Sequence, residues 1–156
     1  MRKLFTIFLF IVTTFTIKAQ TLEETMEYIQ VNVLNYSLSK NEPTKCVDQT
    51  IKKTVGYYNL LGYPPVSIAV INLQDIRSVS YNSSSNFISI VITGNSYSQQ
   101  YVNATTDKLE EQKKKETFIE LILLPNTPEV VVQKIIKAIK HAASLGGAKL
   151  IKDDLF

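Results

Sequence analysis

Ile76 to Thr93 reads IRSVSYNSSSNFISIVIT, two runs of alternating apolar residues on either side of an Asn- and Ser-rich link. In the returning run Ile88, Ile90 and Ile92 take every second position, the period of a strand that buries one face. The outgoing run places Arg77, Val79 and Tyr81 on one side, and Asn82-Ser83-Ser84-Ser85-Asn86 is a compact polar turn, so the pair is expected to fold as an antiparallel hairpin. A two-stranded hairpin is marginal alone in water, so the rest of the chain must supply further strands and a cover for the apolar face.

Further strands are legible on both sides. Upstream, Val66, Ile68 and Val70 alternate within Val66 to Asn72, after the turn Gly62-Tyr63-Pro64-Pro65 and before a break at Leu73-Gln74-Asp75. Ile51 to Tyr58 is another strand, while Ser37 to Gln49 has no sustained period and reads as a loop with room for a short extended piece. Downstream, a short pairing segment is expected at Gln100 to Ala104, and the mixed charges of Asp107 to Glu116 read as a solvated hairpin tip. Phe118 to Leu124 returns to strand, with Ile119, Leu121 and Leu123 on one face and Glu120 on the other.

Two helices bracket the strands. Thr21 and Glu24 have the spacing of a capping box, and Leu22, Met26, Ile29 and Val33 form one apolar stripe, which predicts a helix over Leu22 to Asn35. The second helix starts near Pro128, with Asn126 or Thr127 as its cap and Glu129 complementing its positive end. Val132, Ile135, Ile139 and Ala142 face inward, Lys134, Lys137 and Lys140 face out, and Gly146-Gly147 provides the stop. The expected fold class is α+β: an N-terminal helix, a curved antiparallel meander or partly open barrel of five to six strands, and a C-terminal capping helix.

Residues 1–19 have a different character. Arg2 and Lys3 precede an uncharged apolar run from Leu4 to Ile17, and Lys18-Ala19 closes it, the order of parts in a secretory signal peptide cut after Ala19. The run is shorter than the roughly 20 residues of a transmembrane helix. Ile17 is larger than the residue usually found three places before a cut, and no cysteine lies beside the cut to carry a lipid. The expected protein is therefore one domain, residues 20–156, in the periplasm or outside the cell, with no membrane span after cleavage. Of the 17 basic residues, Arg2, Lys3 and Lys18 leave with the signal, which balances the remainder against 14 acidic ones. A neutral chain gives no support to a nucleic-acid partner.

The residues that carry chemistry are sparse. Cys46 is the single cysteine, so no internal disulfide can form, and it reads as an inert thiol. His141 is the single histidine and reads as a packed or half-exposed side chain. Glu23-Glu24, Glu110-Glu111 and Asp153-Asp154 are adjacent pairs whose side chains diverge, which makes them poor acid–base partners. Gly146-Gly147 ends a helix and cannot cradle a phosphate at a helix start. No catalytic, cofactor-binding or metal residue is assigned. Tyr57, Tyr58, Tyr63, Tyr81, Tyr97 and Tyr101 fall on strands or turns, where sheet propensity explains them as well as a binding surface does.

The strand-break-strand VINLQDIRSV at 70–79 and the closing helix IIKAIKHAASLGG at 135–147 resemble pleckstrin-homology-like and GRAM-like domains, in which a bent antiparallel barrel is capped by a C-terminal helix. That helix and the opening QTLEET at 20–25 are also similar to small exported proteins of Gram-negative bacteria. The helix before the sheet departs from the pleckstrin-like pattern. The resemblance implies a non-catalytic binding module for a peptide, lipid or protein, with the ligand along an exposed strand edge or beside the C-terminal helix. The alternative expectation is a small hydrolase or metal-assisted enzyme whose site forms around His141 and Asp75.

Overall fold

The computed structural model describes residues 20–38, 44–56, 66–93, 97–103, 106, 108–114 and 117–151. The signal-like leader, Tyr57, Tyr58, Tyr63, the Gly62–Pro65 turn and Asp153-Asp154 lie outside the described residues. The chain is α+β, with helix α1 (Leu22–Tyr36), strands β1 (Thr44–Val47), β2 (Thr50–Gly56), β3 (Val66–Asn72), β4 (Ile76–Asn82), β5 (Phe87–Ile92), β6 (Tyr97–Asn103), β7 (Lys108–Lys114) and β8 (Phe118–Ile122), and helix α2 (Glu129–Leu145).

The strands form two antiparallel sheets instead of one meander. One has the order β1-β2-β3-β6-β7 and the other β4-β5-β8, and no closed barrel forms among the described residues. The split begins at Leu73–Asp75, a single 3-10 turn between β3 and β4. Leu73 is fully buried there, and its N–H is held by Gln49 O at 2.9 Å, so the chain turns into the second sheet around a fixed apolar pivot. The sequence marks this place as a break, but β3, paired on one side with β2, takes β6 on the other, more than twenty residues on.

The count of strands also exceeds the expected five or six. Thr44–Val47, within the segment read as a loop, pairs with β2 through a tight turn in which Asp48 and Gln49 have φ of 48° and 61°. A two-residue turn of that hand matches the twist of a hairpin even without glycine. The charge run read as a hairpin tip is the edge strand β7, paired along its length with β6. Charges on an edge strand keep it soluble and discourage pairing with other chains, so strand formation and a solvated appearance coincide.

The 76–93 hairpin forms as expected, with one correction to its face. Ile76 pairs with Ile92 and Ser78 with Val91, so a bulge at Arg77 puts Ile76 and Val79 into the core together. Arg77 and Tyr81 are only half-buried. Ile88, Ile90, Ile92, Ile119, Leu121 and Leu123 are all buried, as their alternation requires.

Both helices seal this core. The Thr21–Glu24 capping box is present, and Met26, Ile29 and Val33 pack inward. Helix α2 buries Val132, Ile135, Ile136, Ile139, Ala142 and Ala143. Its N-cap position is Pro128, whose side chain has no acceptor to cap with, and not Asn126 or Thr127; Thr127 Oγ1 donates to Leu124 O at 2.7 Å. At its end Ala148 N–H bonds Ala143 O and Gly147 N–H bonds Ser144 O, with Gly147 at φ 86°, the paired closure that a left-handed glycine permits. Lys53 Nζ of β2 donates to Glu120 O of β8 at 2.6 Å and ties the two sheets.

Candidate functional site

A groove of about 710 Å³ runs between β4 and α2. Its sheet wall is Val79, Ser80, Tyr81 and Ser83; its helix wall includes Glu129, Gln133, Ile136 and Lys140. These four recur at steps of four, three and four, which lines them up along one side of α2. Glu129 to Lys140 covers roughly 16 Å of helix. That length accommodates about five residues of extended chain. The floor is apolar, because Val79 and Ile136 are buried, and the rim carries hydroxyl, amide and charged groups.

The backbone of β4 faces this groove. Leu123 N–H bonds Asn86 O and Ile92 N–H bonds Thr117 O, both at 2.8 Å, so the even-numbered residues of β5 direct their backbone groups to β8. By alternation Phe87, Ser89 and Val91 direct theirs to β4, where they oppose Asn82, Ser80 and Ser78. The N–H and C=O groups of Val79 and Tyr81 therefore point away from β5, and among the described residues β4 is the edge of its sheet. At the head of the same edge Arg77 O already accepts the N–H of Ile151 at 2.8 Å, and Arg77 Nη1 donates to Lys149 O at 3.2 Å. The segment after α2 thus lies against the edge and makes one strand-like bond to it.

Local contacts hold the walls in place. Tyr81 OH donates to Asn86 Oδ1 at 3.0 Å, and Asn86 takes φ 53°, a left-handed conformation that Asn tolerates. Asn82 Oδ1 accepts from Ser84 N at 3.0 Å and Ser85 N at 3.2 Å, which folds the turn carrying Ser83. Tyr81 is half-buried; of the other tyrosines singled out in the sequence, Tyr97 and Tyr101 lie on β6.

The residues singled out for chemistry lie elsewhere. Cys46 is a free thiol in a groove of about 690 Å³ with Leu22, Glu23, Met26, Glu27 and Asp48, and burial pushes its pKa up to about 12. A thiol so held stays protonated at neutral pH and is a poor nucleophile. His141 is exposed, with Nε2 3.3 Å from Gln20 O, in a separate groove between α1 and α2. Asp75 does not line that groove; its Oδ2 accepts from Asn72 Nδ2 at 3.3 Å, while its backbone O accepts from Thr93 N at 2.8 Å. Glu24 is occupied in the capping box, and Glu110 and Glu111 sit on the edge strand β7. Among the described residues no group of three or more His, Cys, Asp or Glu side chains could hold a metal ion.

Sequence reading did not single out Ser80, Gln133, Glu129 or Lys140 as site residues. The signal that could have found them is the polar stripe at 129, 133 and 140, beside the apolar one on α2. No helix among the described residues is long and apolar enough to cross a membrane. No family model, curated protein or solved structure matches the chain.

Proposed function

We propose that the mature chain is an exported, non-catalytic binding module of the periplasm or cell exterior that takes an extended peptide along the edge of β4, beside α2. The carrying observation is the bond from Ile151 N to Arg77 O, which puts a backbone donor on that edge near the end of a groove about five residues long. A peptide laid further along the edge pairs with the backbone of Val79 and Tyr81. Its alternate side chains then meet the Val79–Ile136 floor and the polar rim. Glu129 and Lys140, at opposite ends of the helix wall, give the two directions of the peptide different electrostatic surroundings. The resemblance of 70–79 and 135–147 to pleckstrin-like domains implies the same placement, beside the C-terminal helix.

The test is to pan the purified protein against a bead-displayed library of random hexapeptides and measure the enriched sequences by titration. Ser80→Lys and Gln133→Lys, both at exposed groove positions, are expected to weaken binding at least about tenfold. Glu23→Gln, in the Cys46 groove, is expected to leave it unchanged. Failure to enrich any peptide, or equal binding by the groove variants, refutes the reading.

A further inference from the structure

From the groove between α1 and α2 we infer that Gln20 is a modification site: once freed by cleavage after Ala19, it closes to a pyroglutamyl residue seated beside His141. The inference rests on the reading of the leader and is independent of the peptide groove. The groove, about 400 Å³, is lined by Gln20, Tyr28, Lys134, Lys137, Ala138 and His141. His141 Nε2 lies 3.3 Å from Gln20 O, so the first residue of the mature chain is tied to α2 through its carbonyl and its side chain is left to react. Lys134 and Lys137 line the same groove and are exposed.

Cleavage would place a free α-amine in these surroundings. Its charged form would meet two lysines across the groove and the positive end of α1 behind it. The opposing charges are Glu23 and Glu24, and Glu24 Oε2 is already engaged by Thr21 N at 2.9 Å. Flanking cations favour the uncharged amine, which is the attacking form. The α-nitrogen attacks Cδ of the Gln20 side chain, a new N–Cδ amide bond closes a five-membered lactam, and the bond from Cδ to the side-chain nitrogen breaks. Ammonia leaves with a proton given up by the α-nitrogen, and no oxidant or cofactor enters. The neutral product keeps the Gln20 carbonyl for His141 and puts no ammonium opposite the lysines.

The experiment uses the full chain, exported by a Gram-negative host and recovered from the envelope and medium. Mass spectrometry of its N-terminal peptide is expected to find a start at Gln20 and the loss of one ammonia. A start at any other residue, or an intact Gln20 amine, overturns the proposal. For the groove's part, protein released in vitro with a free Gln20 is followed at pH 7 beside the Lys134→Gln/Lys137→Gln double variant. Both lysines are exposed, so the fold is retained. Cyclisation is expected to slow by about threefold in the variant. An unchanged rate overturns the role given to the groove.

Discussion

Replacing Gly146 with alanine tests how tightly the end of α2 is docked. A Cβ at that position would lie 2.7 Å from Leu73 Cβ, 3.3 Å from Leu73 Cδ1 and 3.3 Å from Ala142 O. Leu73 is fully buried in the turn that joins the two sheets, and its Cβ cannot swing away as the tip of a long side chain could. The helix end or the turn must shift, an overpacking cost of about 2 kcal/mol. For a domain of this size that lowers Tm by roughly 8 °C. Gly147→Ala is the internal control with a different cause: no atom lies within 4 Å, but φ is 86°. The left-handed conformation alone makes it cost about 1 kcal/mol. Thermal and urea unfolding of both variants read these values. If Gly146→Ala unfolds within about 0.5 kcal/mol of the parent, the close approach of α2 to Leu73 is refuted.

Other substitutions probe separate parts of the account. Ile90→Ala, at a fully buried position of the central strand β5, is expected to cost about 3 kcal/mol in urea unfolding. Thr21→Ala removes the acceptor of the Glu24 N–H and is expected to cost about 1 kcal/mol by the same assay. Cys46 is expected to resist iodoacetamide at pH 8 in the folded protein and to react once the chain is unfolded in urea, because burial holds its thiol near 12. Its pKa is higher folded than unfolded, so the unfolded chain gives up this proton first. Stability is then expected to fall as pH rises from 9 towards 12, an effect that Cys46→Ala removes.

Short-range patterns were legible in the sequence wherever one residue's environment was set by its near neighbours. The Thr21–Glu24 box, the α2 stripe, the Gly147 stop and the Ile88-Ile90-Ile92 alternation all depend on spacings of a few residues. Pairing between distant strands does not leave such a mark. Nothing local in Ile68 to Val70 specifies Ser98 to Gln100 as partners, although the short pairing segment expected from Gln100 falls within β6, which begins three residues earlier at Tyr97. The Arg77 bulge is equally silent, because it shows only when the pairing of Ser78 with Val91 is known. The resemblance pointed beside the C-terminal helix, but the residues that line the groove stayed unnamed for the same reason: they lie about fifty positions apart.

The most direct test of the peptide-edge reading is an NMR structure of the protein bound to a peptide enriched from the hexapeptide library. Contacts from the peptide backbone to the amides of Val79 and Tyr81, with peptide side chains touching Ile136 and Gln133, are the predicted result. A peptide bound only at the Cys46 groove, or only beside His141, would contradict the assignment of β4 as the receiving edge.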